Sequence, residues 1–442
     1  MNKNRFINLF KTISLFIKQF KDIKKYNSDK IFKKIIIIFI YLLELLLIIS
    51  LIPFVFIIRL IKPLIWIRFG PIRSDVIGHF VNDVGYYLAE KSSEEIKKID
   101  FLYLEDNGSN YSKFGNRSPN STWYKLAKRR MYINSIAKYF ERSSNLIYNS
   151  KIHFVRVGSG LGSHDPEGIL QKFKCNIKFN TYEDKSGYDF LKKIGLKSTD
   201  QFICFNVRDP AYKNKYHDFH NWDYTTHKNS NIDSYAEAAM TLAEKGYWVF
   251  RMGKGAEKNF KSKHPNIIDY AKSSIRNDFL DIWLNANCYF SVCTPSGMAE
   301  VSKVFYRPVL FTNFIPICDM QYSKETFILP KKLKRKSNNT FLSLKEIIEN
   351  GMIEYQKKKD YDDNNIEIVD NSAEEINEAV LEMESKLKNK WVKNILDNEM
   401  QNAFHENFKT WTNYKKYFVG AKNPILATSF LRKNYKWFLS EK

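Results

Sequence analysis

Between residues 201 and 312 the chain alternates short apolar runs with amphipathic stretches, and that alternation leaves few folds open. QFICFNV at 201–207 is β-rich and apolar, the pattern of a strand buried on both faces. Residues 232–245 have helical periodicity, and Gly246 ends them. YWVFRM at 247–252 is the next strand, closed by Gly253. A short strand at 266–270, a helix at 278–286 and the strand CYFSVC at 288–293 follow. A helix at 297–305 and a strand at 308–312 complete the series. Strands that alternate with helices build a parallel sheet covered on both faces. Such sheets bind ligands beyond the carboxyl ends of their strands.

The flanking regions are less regular. Residues 68–195 are expected to form a first α/β domain, with strands at 99–104 and 152–157 and helices at 81–90 and 123–140. Residues 106–121, rich in Asn, Ser and Gly, read as a surface loop. The alternating series lies in a second domain, 196–345. Residues 346–442 turn helical and charged, with helices at 373–387 and 391–404.

The N-terminal part is a membrane device. Residues 35–58 are almost continuously apolar, interrupted by Glu44, Ser50 and Pro53. A spanning helix needs about 20 such residues. The run is too long for a signal peptide and has no small-residue cleavage site. Lys30, Lys33 and Lys34 precede it, and Arg59, Lys62, Arg68 and Arg73 follow it. Positive charge at both ends favours both on the cytoplasmic side, with the segment either a re-entrant hairpin bent at Pro53 or an interfacial helix. A single span is the alternative for residues 34–67. Upstream, within residues 1–33, Phe6, Leu9, Phe10, Ile13, Phe16, Ile17, Phe20 and Ile23 recur at helical spacing among lysines. That pattern fits a basic amphipathic helix on anionic lipid. The expected location is the cytoplasmic face of a bacterial inner membrane.

The chain has 70 Lys and Arg against 48 Asp and Glu, a formal charge of +22 that implies an anionic partner. No nucleic-acid-binding pattern accompanies it, so nucleic acid is not the expected partner. Five cysteines without a CxxC pair fit reduced thiols inside the cell. VGSGLG at 157–162 lacks a dinucleotide fingerprint and reads as a surface turn.

Candidate site residues cluster at strand ends. Arg208 and Asp209 follow the first strand of the series, Arg251 ends the second, and Gly253 turns the chain. Asp269 and Tyr270 end the third. Ser296 and Gly297 join the CYFSVC strand to a helix, Glu300 lies a turn further, and Asn313 follows the last strand. An Arg fork matches phosphate oxygens. A Ser-Gly turn at a helix start offers free N–H groups, and Gly lets a pyrophosphate approach. Glu300 could accept from ribose hydroxyls. This set suits a nucleotide-sugar donor, whose departing diphosphate needs positive charge that side chains can supply without a metal or other cofactor. Asp278 and Asp281, near Arg276, fit a helix cap. His217, His220 and His227 lie in a polar loop with Asp218 and Asp223, where nothing fixes a metal geometry. Asp209 and His79 are the candidates for a catalytic base.

At these residues the sequence resembles a family of bacterial glycosyltransferases from surface-polysaccharide gene clusters. The resemblance is carried by FICFNVRD at 202–209, NSNIDSY at 229–235, GYWVFRMG at 246–253, IDY at 268–270, RNDFLDI at 276–282 and the Ser296-Gly297 turn. Residues 73–88, with Ile77-Gly78-His79, and SFLR at 429–432 extend it, and it covers about residue 50 to the end. Lys228 stands where the pattern leads one to expect Arg. The resemblance implies two Rossmann-like domains (a GT-B-like arrangement), with the acceptor on the first and the donor mainly on the second. It implies C-terminal helices that pack back on the first domain, and a glycan or lipid-linked acceptor. The rivals are a sugar-nucleotide epimerase or hydrolase on the same fold, and a non-catalytic assembly factor for polysaccharide export.

Overall fold

The computed structural model describes residues 28–93, 98–105, 118–216, 221–262 and 264–439. The expected amphipathic helix of the first residues, most of the expected 106–121 loop, and His217, Asp218 and His220 lie outside them. Helix α1 (Ser28–Ser50) is followed after one residue by α2 (Ile52–Leu60). Val55 N still donates to Leu51 O at 3.1 Å, so the chain passes Pro53 without reversing, and the expected re-entrant bend is absent. Proline near a helix start sacrifices no N–H that the helix needs.

The first sheet has β1 (Trp66–Ile72), α3 (Ile77–Ser92), β2 (Lys98–Leu104), α4 (Ser121–Lys128), β3 (Tyr132–Ile133) and α5 (Ala137–Asn145). Its strands are parallel in the order β1-β2-β3. The expected 123–140 helix is thus two helices around β3. Asn134 turns the chain between them, its side chain accepting from Ile136 N at 3.0 Å. The expected 152–157 strand shrinks to one bridge, Phe154 to Phe69, because residues 150–153 wind into a short helical turn.

Helix α6 (Thr181–Lys193) starts on a capping box from Asn180 and Glu183. A Cβ on Gly187 would lie 2.1 Å from the Trp283 ring, so α6 seats its backbone on the second domain. The boundary therefore falls near residue 180 rather than 195.

The second sheet runs through β4 (Phe202–Asn206), α7 (Ala236–Glu244), β5 (Trp248–Arg251), β6 (Ile267–Ile268), α8 (Asp278–Asn287), β7 (Ser291–Cys293), α9 (Ala299–Val304), β8 (Val309–Phe314) and β9 (Thr326–Pro330). All pairs are parallel, in the order β6-β5-β4-β7-β8-β9. Successive connections leave β4 in one direction and β7 in the other. The gap between these two strands is the topological switch point, where open α/β sheets form a crevice.

The three longest helices after β9 are α10 (Ala373–Leu387), α11 (Leu396–Lys409) and α12 (Thr428–Phe438). Their Val380, Met383, Phe404, Phe408 and Leu431 share one core with β8 and β9 of the second sheet. The expected return to the first domain is limited to the loop before α12. There Gly420 and Ala421 donate to Pro166 O at 2.9 and 3.1 Å.

The domains meet along α3 and α9. Gly78 faces Gly297 so closely that a Cβ on Gly78 would lie 2.8 Å from the Gly297 Cα. Asn82 donates to Glu300 at 2.9 Å, and a Cβ on Gly85 would lie 2.6 Å from a Val304 methyl. The spacing of 78, 82 and 85 puts these contacts on one helix face.

Candidate functional site

A cavity of about 870 Å³ opens above this seam, lined from the first domain by 73, 75–79, 119–120 and 161–164 and from the second by the ends of β4, β5 and β7. Arg208 leaves β4 at the switch point. Its backbone N donates to Thr294 Oγ1, just past β7, at 2.9 Å, and its Nη2 donates to Thr225 Oγ1 at 2.9 Å. Burial pulls its guanidinium down to about 10. Lys213 shares Thr225 Oγ1 at 3.3 Å and lies 3.8 Å over the Trp222 ring. Burial, then Arg208 and Lys228, pull it to about 7. Lys228 is lowered by burial and, further, by Arg208.

Three cations therefore converge on one wall. Among the described residues no carboxylate pairs with Arg208 or Lys213, and Lys228 has only Asp319 at 4.0 Å. Buried charge of one sign is costly unless a counter-charge arrives. An anion in the cavity would supply that counter-charge. Asn-Trp-Asp-Tyr at 221–224 adds a stacked pair at its edge, Trp222 and Tyr224 at 6.0 Å.

Several expected site residues are otherwise engaged. Arg251 is 1% exposed and sits between Asp269 at 3.1 Å and Asp209 at 3.4 Å, so its charge is already matched. Asp209 also accepts from the N–H groups of Ala211 at 3.0 Å and Glu257 at 3.1 Å. Its oxygens are committed to holding Arg251 and the turn, which removes it as a base. Asn313 is buried away from the cavity, exchanging 2.6 Å hydrogen bonds with the Asn371 backbone and side chain. Helix α9 begins at Ala299 and not at Gly297, and Gly297 spends its missing side chain on Gly78. Ser296 and Gly253 do line the cavity, and Gly253, at φ 146°, holds a backbone that favours glycine. Glu300 lines it too, but Oε2 already accepts from Asn82 and from Lys303, each at 2.9 Å. Asp278 and Asp281 do not cap α8: Asn277 does, through Leu280 N at 2.9 Å. His227 is buried beside Tyr361 and pushed down to about 3 by burial and by Lys228.

The opposite wall carries Asp75 and His79. Asp75 is the only carboxylate that the described first-domain residues bring to the cavity, 3.4 Å from Arg73. His79 Nδ1 lies 2.6 Å from Ser163 Oγ, and burial, then Arg73, lower it to about 4, so the ring is neutral near pH 7. Asp83 lies one turn below His79 and is 5% exposed, with Oδ1 unpartnered among the described residues. Burial raises it from 3.8 to about 7, with Glu300 and Asp75 adding to the rise and Arg73 opposing it. Below 3.8 the carboxyl is neutral in both folded and unfolded chains, whereas between 3.8 and about 7 only the folded chain keeps the proton. Stability should therefore fall as pH rises through that window. Asp83→Asn should melt like the parent near pH 4, and at about pH 8 be more stable by on the order of 2–4 kcal/mol, read by pH-resolved thermal unfolding.

Sequence reasoning missed Asp75, Lys213 and Trp222. Lys228 it marked only as a departure from a pattern. The signal for the lysines was weak: a basic, aromatic loop after the first strand of the series.

No protein-family model matches this sequence, and no curated protein does. Among solved structures, the chain is similar to the E. coli ADP-heptose LPS heptosyltransferase II, at 12% identity, 60% of this chain, 90% of that one and a TM-score of 0.34. It is similar to a glycosyl transferase family 9 protein of Veillonella parvula, at 11% identity, 74% and 99% coverage and a TM-score of 0.42. A third is the E. coli heptosyltransferase WaaC with ADP-2-deoxy-2-fluoro heptose, at 12% identity, 65% and 98% coverage and a TM-score of 0.30.

Proposed function

We propose that the protein is a glycosyltransferase that takes a sugar from a nucleoside-diphosphate donor and passes it to a glycan or lipid-linked acceptor at a membrane surface. One observation carries this reading: Arg208, Lys213 and Lys228 converge at the switch point of a Rossmann-ordered sheet, and among the described residues the one carboxylate paired with any of them is Asp319, 4.0 Å from Lys228. A diphosphate supplies the missing counter-charge. Trp222 and Tyr224 offer flat faces for a base or sugar ring. As the sugar leaves, negative charge grows on the diphosphate, and donors fixed in advance stabilise it most at that moment. Across the cavity an acceptor hydroxyl must give up a proton, and Asp75 is the carboxylate placed to take it. The cations make a metal unnecessary in this scheme, so transfer should persist in a chelator.

Thermal unfolding of the full chain with ADP, GDP, UDP, dTDP or CMP tests the reading. A nucleotide at about 100 times its Kd stabilises by roughly 2.7 kcal/mol. A shift with one diphosphate, together with transfer rather than free sugar as product, supports it. A folded sample that answers to none of them sinks it.

Lys213 adds a pH signature. With an ordinary value pulled to about 7, it is largely neutral above that pH, and an incoming dianion must draw a proton back onto it. Nucleotide affinity should weaken by up to about tenfold per pH unit above 7. Calorimetry in buffers of different ionisation enthalpy should record proton uptake, and Lys213→Gln should abolish both effects.

A further inference from the structure

The apolar helix presents two different sides. Ile38, Ile48, Leu51 and Val55 are buried along one stripe. From Ile48 on, that stripe lies against α5, and Glu44 receives Tyr139 OH at 3.0 Å and Arg142 Nη1 at 3.2 Å, with Lys138 at 3.9 Å. Ser143 Oγ donates to Ile48 O at 2.6 Å, and Arg59 donates to Tyr148 O. The other side carries Phe39, Leu43, Leu46, Phe54, Ile57 and Leu60, all exposed. The layers run from the first sheet through α5, a helix of mixed charge, to a helix whose outer face is hydrocarbon.

This arrangement is incompatible with a crossing. The run Ile35–Leu60 has 26 residues and a hydropathy of 3.1, enough by length and composition to cross a membrane. But from Glu44 to Arg59, about 22 Å of helix, α5 and the turn that follows it, to Tyr148, lie alongside. A perpendicular span would drag Lys138, Glu141 and Arg142 into hydrocarbon, where charges are costly. Only residues 35–43 precede that contact, about 14 Å of helix, and a hydrocarbon core is about 30 Å thick. The far end has the chemistry of a headgroup layer. Trp66 is surrounded by Lys62, Lys98 and Arg68 at 4.9, 5.3 and 5.7 Å, next to exposed Leu64 and Ile65. An indole among cations beside exposed apolar residues matches the interface between lipid tails and anionic headgroups.

We infer that Ile35–Leu60 is an in-plane anchor: its outer face sinks into one leaflet of an anionic bilayer while α5 holds its inner face, and both ends stay on the side of the catalytic cleft. The inference rests on the membrane attachment proposed above.

Topology labelling separates the two. The five native cysteines are buried, so a single introduced thiol dominates labelling. The full chain is expressed in bacteria, and sealed vesicles with the cytoplasmic face outward are treated with a membrane-impermeant maleimide. Lys3→Cys, ahead of the helix, and Lys415→Cys, in the soluble part, should label equally without detergent. If Lys3→Cys labels only after detergent, the helix crosses, and the in-plane anchor is overturned while attachment stands. If the protein leaves the vesicles in high salt alone, hydrophobic attachment itself fails. Leu46→Glu with Ile57→Glu, both on the outer face, should cut sedimentation with phosphatidylethanolamine–phosphatidylglycerol vesicles at least tenfold. Undiminished binding by a folded double variant would also overturn the inference.

Discussion

Arg208→Ala should lose the nucleotide-dependent rise in Tm and about thirtyfold to several thousandfold in kcat/KM, while the unliganded chain melts near the parent temperature. Arg208 is fixed by Thr225, and its backbone by Thr294, so its fork is held before any ligand arrives. It is half-buried beside two lysines and pairs with no carboxylate among the described residues. Removing it relieves repulsion in the empty protein and costs only in the complex. Truncating one partner of a buried charge pair in a complex costs about 2–5 kcal/mol, roughly thirtyfold to several thousandfold in affinity. Arg251→Ala is the contrast. That side chain is locked between Asp209 and Asp269, so its loss leaves two carboxylates facing each other. The expected result is a fall in stability of about 3–5 kcal/mol with or without nucleotide. If the two variants behaved alike, the division between a ligand-facing and a structural arginine would be wrong.

Asp75→Asn should leave nucleotide binding intact and lower kcat by about 10²–10⁴-fold. Asn preserves the shape and the contact with Arg73 but cannot take a proton. Asp75 faces the cavity from the wall opposite the cations, where an acceptor would lie between it and the donor. His79→Ala should be milder. A ring neutral at working pH and tied to Ser163 can orient an acceptor hydroxyl without carrying its proton. Single-turnover transfer, with nucleotide Kd measured in parallel, separates these roles. A KM change without a kcat change in Asp75→Asn would remove it as the base.

The second sheet was legible because its signal is local. Buried parallel strands read as apolar runs, and five of the six appear as such between 201 and 312. β9, Thr326–Pro330, escaped notice because it pairs only on the strength of β8 and a bridge from Leu426. The first domain was harder: its third strand is two residues long, and one expected strand is a single bridge. Site residues divided along the same line. Position after a strand picked out both Arg208 and Arg251, both of which line the cavity, and only the partners of Arg251, Asp209 and Asp269, distinguish the two. Asp75 gave no local sign, since its role depends on what stands across a cleft built by residues far along the chain.

The meeting of Gly78 with Gly297 has a mechanical consequence. Two backbones in contact, with Asn82 on Glu300 beside them, act as a fulcrum at the base of the cleft. Opening and closing would then rotate the walls about that point, so a few degrees of tilt change the gap at Trp222 far more than the gap at Ser296. The lever arm, rather than any flexible lid, would set how far apart donor and acceptor are held when the walls come together.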